Sequence, residues 1–239
     1  MTRRVITLSL LLTRNLFRTL LGVLPPALTL LVYRLTFTYR DQGDPDYFTA
    51  VGGLGLALVC MGTALLVCDR ANRAAMYPFV ARLPRRAELL AATVLSIILV
   101  MLAMATLYTA LVFVFHNVTF TPIDLILIAP RWLSVFLLAA TLGVMMSKLA
   151  SRNGSHLIVW GAIGAMVFMR ERVIMFDVPS FLTDAIELVV RPITQVLTIP
   201  LEPFSIQVLP SLLLTLLYAS GLFFTGVWLF RRKDLLWVE

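Results

Sequence analysis

Residues 89–115 read LLAATVLSIILVMLAMATLYTALVFVF, 27 consecutive residues without a charge. As an α-helix this run is about 40 Å long, more than the ~30 Å of hydrocarbon in a bilayer, so it has the length and composition of a membrane span. Working outward along the chain, five more apolar segments appear: Thr19 to Thr38, Phe48 to Cys68, Leu125 to Ser147, Ser155 to Met169 and Leu209 to Phe230. Ser155 to Met169 is the shortest, with 15 residues before Arg170-Glu171-Arg172. The whole chain is 60% apolar and 14% charged, whereas soluble domains lie near 45–50% and about 25%. The expected fold is therefore all-α, a single polytopic membrane domain over residues 1–239 with six transmembrane helices.

Charge sets the expected orientation. The net charge of +7 is the balance of 20 basic residues, nearly all arginine and dispersed between apolar segments, against 13 acidic ones. That dispersal gives no soluble basic patch for nucleic acid. With both termini in the cytoplasm, fourteen Lys and Arg fall in inner loops, against Arg40, Arg170, Arg172 and Arg191 outside. The positive-inside rule favours that arrangement and so a multi-pass protein of the plasma or inner membrane. Cys60 and Cys68 share one apolar run, which argues against a disulfide framework or a zinc site. His116 and His156 read as interfacial polar residues at opposite sides of the bilayer.

The N-terminus resembles a secretory signal only superficially, because Arg14 and Arg18 follow the apolar stretch too soon. At 100° per residue, Arg3, Arg4, Thr7, Arg14 and Arg18 fall within an arc of about 100°. Residues 1–18 are thus expected to form an amphipathic helix on the inner membrane face.

On the outer side, residues 170–208 are apolar but broken by Pro179, Pro192, Pro200 and Pro203, which rules out one continuous span. Glu187 and Arg191 are spaced to pair along a helix, with Leu188 and Val189 between them. Two short helices dipping into the outer leaflet are expected, though a simple surface cover has the same pattern. Arg34 and Arg131 sit near outer helix ends, where snorkelling to the interface would accommodate them. Asp124, seven residues before Arg131, is a candidate partner. The alternative role for both arginines, with Glu187, Leu188, Val189 and Arg191, is to line a substrate path.

The inner loop Asp69 to Glu88 reads DRANRAAMYPFVARLPRRAE, longer than any tight turn. Positive-inside anchoring accounts for its five arginines. It leaves Met76, Tyr77, Phe79, Val80 and Leu83 unexplained, and large apolar side chains outside lipid call for something to bury them. Asp69-Arg70, the Leu83-Pro84-Arg85-Arg86-Ala87-Glu88-Leu89-Leu90 stretch and the basic C-terminal Phe230-Arg231-Arg232-Lys233 together resemble the permease subunits of ABC-2 type transporters. The resemblance spans the chain in topology and about thirty residues in motif. It implies that Met76, Tyr77, Phe79, Arg82, Leu83, Pro84, Arg85, Arg86 and Glu88 form a coupling helix docked on a separate ATPase subunit. It also implies two permease copies and export of a hydrophobic or amphipathic substrate such as a lipid, peptide, drug or antibiotic.

This chain carries no glycine-rich phosphate loop ending in Lys-Ser or Lys-Thr, so no cofactor is expected in it. ATP and magnesium would belong to the partner ATPase. Gly52-Gly53-Leu54-Gly55 lies inside an apolar run and reads as a helix-packing site. The competing classes are an intramembrane enzyme and a non-transporting anchor or substrate-binding subunit. The enzyme reading lacks a catalytic constellation, since the two histidines are far apart and the carboxylates are scattered.

Overall fold

The computed structural model describes residues 2–37, 42–43, 45–72, 86–118, 121–147, 196–197, 199 and 208–232. Within them the chain is built of helices: α1 (Thr2–Phe17), α2 (Leu20–Phe37), α3 (Pro45–Ala71), α4 (Arg86–Phe115), α5 (Pro122–Met145) and α6 (Val208–Arg232). Five of these, α2 to α6, are long and apolar enough to cross a membrane, which makes the chain a multi-pass membrane protein. The expected span Ser155 to Met169 lies outside the described residues, as does the expected outer segment 170–208 apart from residues 196–197, 199 and 208.

The sequence explains where the helices begin. The α5 start is a capping box: the Thr121 hydroxyl accepts from the Asp124 amide, and the Asp124 carboxylate accepts from the Thr121 amide at 2.8 Å. Pro122 occupies the first helical position, where its missing N–H is no loss. α2 opens with a 3₁₀ turn, Leu20–Val23, and places Pro25 in its first α-helical turn.

Between α1 and α2 the chain reverses sharply. Thr19 is extended, at φ −122° and ψ 158°, and its hydroxyl donates to the Leu16 carbonyl at 2.9 Å. A Cβ on Gly22 would sit 2.7 Å from both the Leu16 carbonyl oxygen and the Phe17 Cα. Both obstacles are backbone, so neither can rotate away. Gly22→Ala is expected to cost about 1–3 kcal/mol, as overpacking does elsewhere. Thermal unfolding in detergent measures this, and an unchanged Tm would mean that the reversal is looser than described.

Cross-links at the two ends establish how the helices run. At one end Arg70 donates to the Thr19 hydroxyl at 2.9 Å, and Thr13 shares a 2.8 Å hydrogen bond with Ser96. At the other, Gln42–Gly43 (β1) pairs in parallel with Asn117–Val118 (β2), and the Tyr47 hydroxyl donates to the Thr36 carbonyl. Helices α2 and α4 therefore run in one direction and α3 and α5 in the other. Met145 of α5 meets Gly226 of α6, so α6 ends beside the end of α5 and runs parallel to it.

The core lies where α3, α4 and α5 meet, around Leu56, Met61, Ile97, Met101, Val135 and Phe136, all buried. α1 packs against α4 and α3 along Leu8, Leu12 and Leu16. By contrast α6 leaves Leu209, Leu213, Leu217, Phe224 and Trp228 exposed, as expected of a helix facing lipid or a second subunit.

Candidate functional site

The end of the bundle that carries α1 also carries both ends of the inner loop. Cys68, Asp69 and Arg70 close α3, the Asn72 amide donates to the Cys68 carbonyl at 3.0 Å, and Arg86 opens α4. Of the nine expected coupling residues, Met76, Tyr77, Phe79, Arg82, Leu83, Pro84 and Arg85 lie outside the described residues. Arg86 is the first residue of α4. Glu88 sits in its first turn, where the helix dipole favours a carboxylate, and is 3% exposed. Its Oε2 is buried and makes no hydrogen bond among the described residues. Ser9 of α1 and Thr93 and Ser96 of α4 are buried hydroxyls. Thr93 donates back to the Leu89 carbonyl and Ser9 to the Ile6 carbonyl. Cys60 and Cys68 are buried free thiols, and Cys60 donates weakly to the Phe136 carbonyl at 3.4 Å.

The opposite end is built around Arg131, and here two expectations are corrected. Arg131 does not snorkel: it is 1% exposed, among the largest fully buried side chains of the protein. Nor is Asp124 its partner, because the Asp124 carboxylate is held by the Thr121 amide and hydroxyl, the latter at 2.7 Å. The local cap wins because both donors are three residues away and already aligned by the helix start. Arg131 instead donates through Nη1 to the Ile199 carbonyl, with Asp46 in electrostatic range. The guanidinium thus joins the start of α3, the third turn of α5 and the chain ahead of α6.

Next to it, Phe48, Tyr108, Trp132 and Phe136 form an aromatic cluster, with Phe48 stacked on Tyr108 at 5.5 Å and 5.0 Å from Trp132. Tyr33 and Phe37 of α2 extend it to His116, whose Nε2 is 2.9 Å from the Tyr33 hydroxyl and whose ring stacks on Phe37 at 4.4 Å. His116, just past the end of α4, is thus held by one hydrogen bond and one ring contact. The cluster depends on an irregularity in α3, a π-helical turn over Phe48–Gly52. The Trp132 indole N–H donates to the Thr49 carbonyl in that turn at 3.1 Å. Close approach explains Gly53, where a Cβ would lie 2.6 Å from Leu197 and 2.8 Å from the Trp132 indole nitrogen. The glycine run is a packing site, as its place in an apolar stretch implied.

Arg34 and Arg131 are not brought together: Arg34 is exposed near the end of α2, and Arg131 is in the core. Glu187, Leu188, Val189 and Arg191 lie outside the described residues. Two apolar grooves open on the flank of α4 and α5. One, of about 400 Å³, is bordered by Leu102, Thr106, Phe113, Ile128 and Trp132. The other, of about 490 Å³, is bordered by Val94, Ile98, Leu137, Ala219 and Phe224. The aromatic cluster is the feature that sequence reasoning missed, although aromatics at the same end of α2, α3, α4 and α5 were a signal for it. Comparison of the chain with protein-family models, curated proteins and solved structures finds no match.

Proposed function

We propose that the chain is the membrane subunit of an ATP-driven ABC transporter of the ABC-2 type, exporting a hydrophobic or amphipathic substrate. ATP and magnesium are handled by a separate ATPase subunit, and two permease copies pair in the plasma or inner membrane. Both termini are cytoplasmic. The observation that carries this reading is the Asp69–Glu88 loop, with five arginines and five sizeable apolar side chains between two helices fastened at their ends.

The direction of the helices supports the six-span reading. α5 and α6 are parallel, and Arg131 meets Ile199 at the end of the bundle opposite Met145. Residues 131 to 145 of α5 alone rise about 20 Å, so Met145 and Ile199 lie at opposite ends of the bundle. Ser155 to Met169 is the apolar stretch we assign as the remaining span. α1 then lies in the inner interface, and the aromatic cluster with Arg131 closes the outer end of the path.

The test is retention and stimulation of the ATPase. Phe79→Ala and Leu83→Ala, each removing a buried anchor, should cost about 2 kcal/mol or more of docking energy and either release the ATPase or uncouple hydrolysis from transport. Arg82→Ala, at the rim, should weaken assembly modestly and chiefly through association rate and its salt dependence. Full retention and normal stimulated turnover in both apolar variants would overturn the proposal.

A further inference from the structure

α1 presents three surfaces. Leu8, Ser9, Leu12 and Leu16 are buried on the bundle. Ile6, Leu10 and Phe17 are exposed at 49%, 56% and 47% and fall together on the helix wheel. Arg3, Arg4, Arg14 and Arg18, all exposed, occupy the arc that adjoins this apolar strip. Two of these surfaces have no occupant among the described residues.

The charge on the third surface is one-sided. The chain has no carboxylate before Asp41, and among the described residues none pairs with Arg3, Arg4, Arg14 or Arg18. Arg18 follows Arg14 by one turn, with its amide on the Arg14 carbonyl at 3.1 Å. The next residue, Thr19, accepts from Arg70, which adds a further guanidinium from α3 at this point. Arg70 spends one donor on that hydroxyl, and its Nε is buried without a hydrogen bond among the described residues.

We propose that the arginine face of α1, extended by Arg70, is a binding surface for the headgroups of anionic phospholipids. The geometry separates the two parts of such a lipid. Ile6, Leu10 and Phe17 enter the acyl region, while the adjoining arginines stay level with the phosphates and use several N–H donors on each phosphate. A zwitterionic headgroup offers the same phosphate but no net negative charge, so the surface discriminates by charge. This inference rests on the membrane reading alone and stands whether or not an ATPase binds the inner loop.

The test uses the full chain reconstituted in phosphatidylcholine vesicles, with spin-labelled phosphatidylglycerol or spin-labelled phosphatidylcholine as probe. The fraction of each label immobilised at the protein is read by electron paramagnetic resonance. The parent protein should prefer phosphatidylglycerol by roughly fivefold, the size that one engaged basic residue supplies at an anionic surface. Replacing Arg3, Arg4, Arg14, Arg18 and Arg70 together by Gln should bring the preference close to unity, and the corresponding lysine variant should retain most of it. Arg34→Gln, at the other end of the bundle, should change nothing. Equal immobilisation of the two labels by the parent would overturn the proposal. So would a glutamine variant that melts normally and keeps its preference, and so would loss of a protein partner from that variant with lipid preference intact, which would assign the arginines to an acidic protein surface.

Discussion

Replacing Gly143 with leucine is expected to force α3 and α5 apart and to leave little folded protein at the growth temperature. Gly143 is buried where the two helices cross, and a Cβ there would lie 2.5 Å from the Cβ of Ala64 and 3.4 Å from the Met61 carbonyl oxygen. Alanine is the more informative substitution because two effects oppose each other. As a helix former it gains about 0.5–1 kcal/mol over glycine. Overpacking at a contact that no side-chain rotation relieves costs about 1–3 kcal/mol, so the net effect is destabilising. Ala64→Gly removes the atom that is struck, and Ala64→Gly/Gly143→Ala should recover much of the loss. That coupling is the signature of contact between the two sites. Thermal unfolding of the single and double variants in detergent measures it, and Gly143→Ala at or above parental stability would contradict the close crossing.

Arg131→Leu is expected to be the most damaging single change at the aromatic end. It removes the donor from the Ile199 carbonyl and the cation near Asp46. Truncating one member of a buried charged pair costs about 3–5 kcal/mol. Asp46 is itself exposed, so the loss should lie nearer the 1.5–3 kcal/mol of a hydrogen bond to a charged group. Arg131→Lys keeps the charge but gives up the planar fork, and should fall between parent and leucine variant. Asp46→Asn should cost less than Arg131→Leu because the carbonyl keeps its donor. Melting temperatures of the three variants test the order. A silent Arg131→Leu would return this residue to the snorkelling role that its position in the sequence implies.

The five described spans were legible because each is apolar along most of its length. α4 starts at Arg86, three residues ahead of the apolar run that opens at Leu89, and α2 and α6 agree with expectation to within about two residues. α3 begins earlier than its apolar run, since Pro45-Asp46-Tyr47 forms its first turn and the charge on Asp46 hid it. What single-sequence periodicity could not supply is the pairing of distant elements. Thr13 with Ser96, Tyr33 with His116, and Trp132 with Thr49 are each separated by 83 residues. The misreading of Arg131 has the same origin. A helix wheel places Asp124 on its face, whereas its acceptor lies 68 residues further along the chain. The sequence of the inner loop gave reason to expect a partner, and only Arg86 and Glu88 of its expected coupling residues fall within the described helices.

The π-helical turn at Phe48–Gly52 puts α3 out of phase with itself. A π turn holds one residue more than an α turn needs, so the residues before it are rotated by about 100° relative to an uninterrupted helix. Phe48 and Thr49 reach the aromatic cluster only because of that offset. One superfluous residue therefore works as a phase shifter, aiming the first turns of α3 at Trp132 while the remainder keeps Ala64 aligned with Gly143.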